Sequence, residues 1–280
     1  MKQMARIFAR AGTPLVYREA CLGSGAVYFR LFTHVPAVLA DLNAEVVDFY
    51  RCVRDHVEPL LAALEAHAEA FGHAFAEEPV ELRAFDALYY ALRGDQRPLE
   101  ELRALPLVAR AARTLVLNML GMNGLYRLNR AGRFNVPVGR SAPRADGRRS
   151  MPTIFVARTV RAASRALQRV AIEVMDVVDH LALARPGELI YVDPPYVPLK
   201  KGGFTLYMGH DFTEADQERL AEACHKAAAR GVLVAASNHD VPVVRQLYKG
   251  LRMHRILVTR SIAAKAAARG KVAELLITNF

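Results

Sequence analysis

Cysteine is scarce in this chain, long apolar runs are missing, and acidic residues almost vanish over about a quarter of its length. Cys21, Cys52 and Cys224 are the three cysteines among 280 residues. An odd, widely spaced set argues against a disulfide framework and for a reducing compartment. No Cys or His pair has zinc-ligand spacing, so no metal is expected. No uncharged run of about 18 apolar residues occurs, which excludes a transmembrane helix from the expectation. Lys2, Arg6 and Arg10 precede Gly12-Thr13-Pro14 without a sustained apolar stretch, so no secretory signal is expected either. Hydrophobic residues make up 52% of the chain, too many for a disordered protein. The length suits one large domain, or one domain with a sizeable insert.

The shortage of acids is local. Residues 102–172 carry fourteen arginines, no lysine and a single acid, Asp146, for a net charge of +13. The remainder, with 24 basic and 27 acidic residues, sums to −3, so one segment accounts for the whole excess of +10. A block of like charge repels itself unless something anionic lies against it. Arginine suits phosphates and base edges, since its planar fork donates two parallel hydrogen bonds. The rest of the chain also prefers arginine to lysine, so the near-absence of acids is the better pointer to nucleic acid.

The pattern along the chain predicts an α/β fold. A short strand over 15–20 runs into Cys21-Leu22-Gly23-Ser24-Gly25, then an apolar helical stretch over 26–33, then a strand over 37–41 ending on Asp41. Residues 43 to about 117 read as mostly helical with a break at Gly94, and 118–152 as turns and hairpins rich in Gly, Asn, Pro and Arg. The α/β pattern resumes near Arg169. A strand over 189–193 meets Pro194-Pro195, and a helix follows from Thr213, a plausible N-cap, to Gly231, its stop. Further strands are expected at 232–237, 253–259 and 272–278, with a helix between the first two reaching about Tyr248. No internal repeat is present. The expectation is a doubly wound sheet formed by 1–48 and 169–280, interrupted by a basic, mostly helical insert over 49–168. Ligands in such sheets bind at the carboxyl ends of strands.

Three motifs fall at those ends. Gly23 and Gly25 allow a tight turn and close approach of backbone to a ligand, and Asp41 at the next strand end can accept from two ribose hydroxyls. A turn pair of glycines beside a solvated aspartate would look the same. The full dinucleotide fingerprint is missing, because Tyr28 stands where its third glycine belongs. Asp193-Pro194-Pro195-Tyr196 is more specific. The prolines fix the backbone. Asp193 and the Pro194 carbonyl can both accept from one exocyclic amine, and Tyr196 offers a face to a planar base. An amine conjugated to a ring is a poor nucleophile. Two acceptors that draw its hydrogens toward tetrahedral geometry localise the lone pair for in-line attack on an electrophilic methyl. His239, in Ser237-Asn238-His239-Asp240, reads as structural.

In the basic segment, residues 118–139 carry turn signals at Asn123-Gly124 and Ala131-Gly132. Arg127, Arg130 and Arg133 alternate with apolar residues, as on a hairpin packed on one side and open on the other. Arginine can read guanine and asparagine adenine in the major groove. A hairpin touching phosphates alone would give affinity without sequence choice.

Together these residues resemble the DNA adenine methylase family, the adenine-N6 methyltransferases in which the cofactor motif precedes the recognition segment and the Asp-Pro-Pro-Tyr motif follows it. The likeness covers most of the chain and is densest over 123–139, 191–199 and 237–240, with 272–276 similar to the family's last strand. It implies S-adenosyl-L-methionine as methyl donor and double-stranded DNA as partner, with GATC among the target sequences found in the family. It implies Asp193, Pro194, Pro195 and Tyr196 around a flipped adenine, and Phe204 and Tyr207 lining its pocket. Arg10, Gly12, Glu19, Gly23, Ser24, Gly25, Asp41 and Asp193 would hold the donor. Asn123, Leu125, Tyr126, Arg127, Arg130, Arg133, Asn135, Pro137 and Arg140 would contact DNA. The resemblance carries no metal, no membrane and no obligate protein partner, and a cytoplasmic setting in a bacterium, phage or mobile element. Two rival readings keep part of this: a methyltransferase acting on RNA adenine or on a protein amide nitrogen, the latter opposed by Asp rather than Asn at 193 and by the basic hairpin, and a DNA-binding relative whose donor site has eroded. The replaced residues around Arg10–Pro14 favour the second rival. The intact Asp193–Tyr196 opposes it.

Overall fold

The computed structural model describes residues 1–77, 81–94, 96–140, 142, 149–198, 206–207, 210–259 and 271–280. The chain forms two compact units, Met1–Val47 with Arg169–Phe280, and Asp48–Gln168. In chain order the main elements are α1 (Lys2–Phe8), β1 (Tyr17–Glu19), β2 (Ala37–Asp41), α2 (Ala44–Asp55), α3 (Val57–Glu77), α4 (Arg83–Arg93), α5 (Leu99–Ala104), α6 (Leu107–Leu120), α7 (Ala157–Leu167), β3 (Val170–Val174), α8 (Val177–Leu183), β4 (Leu189–Val192), β5 (Leu206–Tyr207), β6 (His210–Asp211), α9 (Glu214–Ala229), β7 (Leu233–His239), α10 (Pro242–Leu247), β8 (Arg252–Thr259) and β9 (Lys271–Thr278).

The first unit is built on a seven-stranded sheet in the order β3-β2-β1-β4-β7-β9-β8. The pairs from β3 through β7 are parallel, and β9 runs antiparallel to both β7 and β8. β4 is buried along its whole length, as expected of a central parallel strand covered on both faces. Ile190, Val192, Leu220, Cys224, Val234, Val244 and Ile277 belong to one buried cluster within this unit. The expected helix after the glycine loop is present but widened into a π turn at Tyr28–Phe32. α9 begins with a reciprocal capping box: the Thr213 hydroxyl accepts from the Asp216 amide and the Asp216 carboxylate accepts from the Thr213 amide. It ends at Gly231, whose φ of +86° is the left-handed value glycine adopts without strain.

The chain passes from β1 to β2 and β3 on one side, then to β4 on the other. The order reverses between β1 and β4, and in doubly wound sheets the ligand crevice lies at the carboxyl ends of the strands flanking such a reversal. Glu19 is in register with Tyr191 across this pair, and the Ala20 amide donates to the Tyr191 carbonyl at 3.0 Å. The loops that leave these two strands therefore start side by side, although some 170 residues of sequence separate them.

The second unit is mostly helical. Leu60, Leu61, Leu64, Phe71, Phe85, Tyr89, Val116 and Leu117 are among its buried residues. α4 stops at Gly94, the predicted break, with φ +79°. Beyond α6 the hairpin is irregular, closed by isolated bridges at Gly121↔Val138 and Leu128↔Phe134 rather than by continuous strands.

Candidate active site

The glycine loop is shaped by backbone demands. Gly23 and Gly25 have φ of +48° and +61°, values that a residue with a Cβ rarely adopts. A Cβ on Gly25 would lie 2.9 Å from the Phe29 ring, whereas the corresponding direction at Gly23 is open space. Asp41 closes the loop from β2. Its carboxylate is buried and accepts from the Gly23 amide and the Asn43 amide, one on each oxygen, both at 2.9 Å. The open face at Gly23 and the paired acceptor at Asp41 fit a ribose-bearing ligand.

Glu19 is placed differently from the expectation that it touches the donor. It is 2% exposed and accepts from the Tyr17 hydroxyl at 2.8 Å and the Tyr28 amide at 3.0 Å. Burial pushes its carboxyl up to about 8, against the lowering effect of those two donors. Glu19 therefore fastens the start of the π turn, and its bonds run to protein. Arg10 is exposed and Gly12, with φ +70°, ends the 3-10 turn that follows α1.

Asp193 follows β4 into the crevice. Solvent reaches it, but protein crowds around its carboxyl. That desolvation pushes the carboxyl up to about 6, with a further push from Glu274; the Tyr196 hydroxyl, donating to Oδ1 at 2.9 Å, pulls the other way. Cys21 stands between the two halves of the site. Burial and the carboxylates of Asp41 and Asp193 keep its thiol well above its usual range, so it is protonated at neutral pH and is no nucleophile. The Tyr196 ring meets His239 edge to face at 4.9 Å. Among the described residues the Pro194 carbonyl receives no hydrogen bond from protein and remains free to accept one.

The loop after Asp193 is held by residues whose roles the sequence did not reveal. Gln217 on α9 donates to the Pro195 carbonyl at 2.7 Å. Asn238 on β7 accepts from the Val197 amide at 3.0 Å, and the His239 ring donates from Nδ1 to the Val197 carbonyl at 2.6 Å. The structural role read for His239 matches this contact. Asn238 belongs to Ser237-Asn238-His239-Asp240, where sequence alone assigns it no role. Gln217 gave no signal, since Asp216-Gln217-Glu218-Arg219 looks like a solvated helix face. Phe204 lies outside the described residues, and Tyr207 ends β5.

On the hairpin of the second unit, Arg127 is exposed, and its guanidinium donates to the Asn135 side chain at 2.8 Å. Arg130 is exposed at the turn, which Asn129 organises by accepting from the Ala131 and Arg133 amides. Two other arginines are engaged by protein. Arg133 donates to the Gly94 carbonyl at 3.2 Å, and Arg140 pairs with Asp86. Tyr126 packs edge-on against Phe134, while Asn123 adopts a left-handed φ of +58°. Leu125 and Pro137 are half-buried.

The structure thus presents a doubly wound sheet with a glycine loop after β1, a buried acid at the end of β2 and an Asp-Pro-Pro-Tyr loop after β4. The D12 class N6 adenine-specific DNA methyltransferase family model matches residues 12–262, and the chain belongs to that family. It is an enzyme, an adenine-specific DNA methyltransferase, which sets aside the non-catalytic reading. It is similar to the Type II methyltransferase M1.LlaDCHI of Lactococcus lactis subsp. cremoris, with 32% identity covering 94% of this chain and 85% of that one. Type II methyltransferase M.MjaIII of Methanocaldococcus jannaschii is also 32% identical, covering 94% and 88%. The DNA adenine methylase of Escherichia coli K12 is 30% identical, covering 92% and 84%. The rRNA methyltransferase aviRa of Streptomyces viridochromogenes aligns over 99% of this chain and 84% of its own at 15% identity, but the TM-score of 0.37 is too low to carry an argument. Membership implies a methyl donor and a DNA substrate. Among the described residues no helix is long and apolar enough to cross a membrane, and no His, Cys, Asp and Glu group could hold a metal ion.

Proposed function

We propose that this enzyme transfers a methyl group from S-adenosyl-L-methionine to N6 of an adenine flipped out of double-stranded DNA, in the cytoplasm. The observation that carries the reading is the loop after β4. The Asp193 carboxylate, which solvent reaches, accepts from the Tyr196 hydroxyl on Oδ1 and is also hydrogen-bonded by Tyr191, and the adjoining Pro194 carbonyl is unengaged among the described residues. Two acceptors beside a glycine loop suit an amine and a methyl donor brought together. Gly23, Ser24, Gly25 and Asp41 hold the donor, together with Arg10 and Gly12, while Glu19 fastens the π turn that follows the loop through Tyr28. When bound, the donor supplies a methyl on a sulfonium, electrophilic without further activation. Asp193 and the Pro194 carbonyl draw the amine hydrogens into tetrahedral directions and so localise the pair on N6. The N–C bond forms as the C–S bond breaks, with its electrons leaving on sulfur. The extra proton on nitrogen then departs, with Asp193 the adjacent acceptor. Tyr196, with Phe204 and Tyr207, supplies aromatic surface for the extruded base.

Residues 48–168 act as the target-recognition unit in this reading. Its part over 102–168, with thirteen arginines against one acid, matches a phosphate backbone, and Arg127, held by Asn135, is the arginine assigned to a base edge. Asn123, Leu125, Pro137 and Arg130 complete the contact surface. The hairpin's likeness to family members that read GATC makes GATC the first sequence to test. Mass spectrometry of DNA from methylase-deficient cells should detect N6-methyladenine when this chain is expressed. Its absence, with soluble protein present, would refute the reading.

Two predictions belong to this mechanism. The carboxylate form of Asp193 is the working one, and its carboxyl stands at about 6. The single-turnover rate should fall tenfold per pH unit below that value. Because the Tyr196 hydroxyl lowers the carboxyl, Tyr196→Phe should move the acid limb to higher pH. A limb that stays put in the variant would separate Tyr196 from the titration. Arg127→Ala should weaken binding to the preferred duplex by about 1–3 kcal/mol and flatten discrimination at one base pair. An equal loss on every sequence, measured by titration against single-substituted duplexes, would make Arg127 a phosphate contact instead.

A further inference from the structure

The geometry points to Gln217 and Asn238 as positioning residues that act as one buried amide relay to set the catalytic loop. The inference rests on the proposed role of that loop. Gln217 and Asn238 are 3% and 0% exposed. The directions of their bonds follow from chemistry. A backbone carbonyl can only accept, so the Gln217 group facing Pro195 is its NH2. Backbone amides can only donate, so the Asn238 atom facing the Val197 amide, and the His239 amide at 2.9 Å, is its oxygen. The remaining ends then match: Asn238 Nδ2 donates to Gln217 Oε1 at 3.1 Å. Each amide has one allowed orientation, and each orientation depends on the other.

The relay spans α9, β7 and the loop between Pro195 and Val197. With the His239 ring bond it fixes three backbone atoms of that loop: the Pro195 carbonyl, the Val197 amide and the Val197 carbonyl. The next residue back, Pro194, presents the free carbonyl. Two consecutive prolines transmit the anchoring stiffly, because their φ angles are fixed. Loss of the Pro195 anchor therefore lets the Pro194 acceptor drift, and an error of about 1 Å in such a group can lower a rate about 100-fold.

The orientation coupling gives a test that simple packing would not satisfy. Gln217→Met keeps volume and removes the donor to Pro195. Asn238→Asp keeps both bonds to backbone amides but replaces the donor with an acceptor; Gln217 must then turn over, and Pro195 loses its donor again. Single-turnover methyl transfer should fall by the same factor, about 10- to 100-fold, in both variants, with the KM values for DNA and methyl donor unchanged. The double variant should fall no further than either single one. Multiplying losses, a rate within about twofold of the wild type, or a change confined to KM would overturn the relay. If Gln217→Met does not fold, Gln217→Glu, which keeps the acceptor facing Asn238, takes its place under the same criteria. Wild-type protein run alongside separates the two levels: no adenine methylation by it refutes the loop's proposed role, whereas methylation with unaffected variants refutes the relay alone.

Discussion

Asp193→Ala should lower the methyl-transfer rate by about 10²–10³-fold, the scale reported for removing one preorganised group that stabilises a transition state. DNA binding should survive, because the proposed mechanism assigns Asp193 to the extruded amine rather than to the duplex. One acceptor, the Pro194 carbonyl, remains in the variant, and a single acceptor leaves the amine pair largely in the ring. The same substitution frees the Tyr196 hydroxyl and removes one of the carboxylates that hold the Cys21 thiol protonated. Single-turnover kinetics with labelled donor, alongside a mobility-shift titration, checks both halves. A folded variant that has lost DNA binding would refute the role assigned to Asp193.

The second large effect is on stability. His180, on α8, is fully buried, and both ring nitrogens lack hydrogen-bond partners among the described residues. Burial pushes its pKa down to about 4, assisted by the nearby Arg18 charge. The folded protein therefore resists protonation that the unfolded chain accepts from pH 6.5 downward. Stability is fully present above about 6.5 and declines to about pH 4, by about 3 kcal/mol in all. Glu188 is paired with Arg18 at 2.6 Å; burial raises its carboxyl, but its hydrogen bonds to Arg18 and the Arg185 amide outweigh that and hold it below the ordinary value. Its contribution is thus lost only at more acid pH. Glu19 acts in the opposite sense: with its carboxyl raised to about 8, stability falls as pH rises from about 4.5. The difference between wild type and His180→Leu isolates the histidine. In urea unfolding the variant should gain on the wild type between pH 7 and 4.5. Parallel curves would show that His180 takes up its proton without penalty.

Much of the sheet was legible because local signals agreed with the tertiary outcome. Thr213 capped α9 and Gly231 ended it, Gly94 ended α4, and the strand over 37–41 came out with those limits. Asp193–Tyr196 was legible as a rigid loop after a buried strand, because paired prolines fix the backbone. Contacts between distant segments were not legible. Tyr17 and Tyr28 capture Glu19 through a strand and a π turn, so an acid beside a glycine loop looked like a ligand residue. Gln217 reaches Pro195 across 22 residues of sequence, and nothing local distinguishes it from a solvated glutamine. Arg133 likewise reads as a free cation until its Gly94 partner, 39 residues away, is seen.

The strand order also governs what a growing chain can do during synthesis. When the ribosome has released β1 and β2, the outer neighbour of each is still unmade, since β3 and β4 both follow residue 168. The glycine loop and Asp41 then rest on a lone parallel pair, which is marginal by itself. At the other end β8 pairs with β9 and not with β7, so it has no place in the sheet until the final strand, Lys271–Thr278, arrives between them. Translation halted anywhere before that strand yields a protein with an unfilled sheet edge, open to aggregation. The β7 that carries Asn238 and the strand β8 thus share one late requirement, the synthesis of β9 between them.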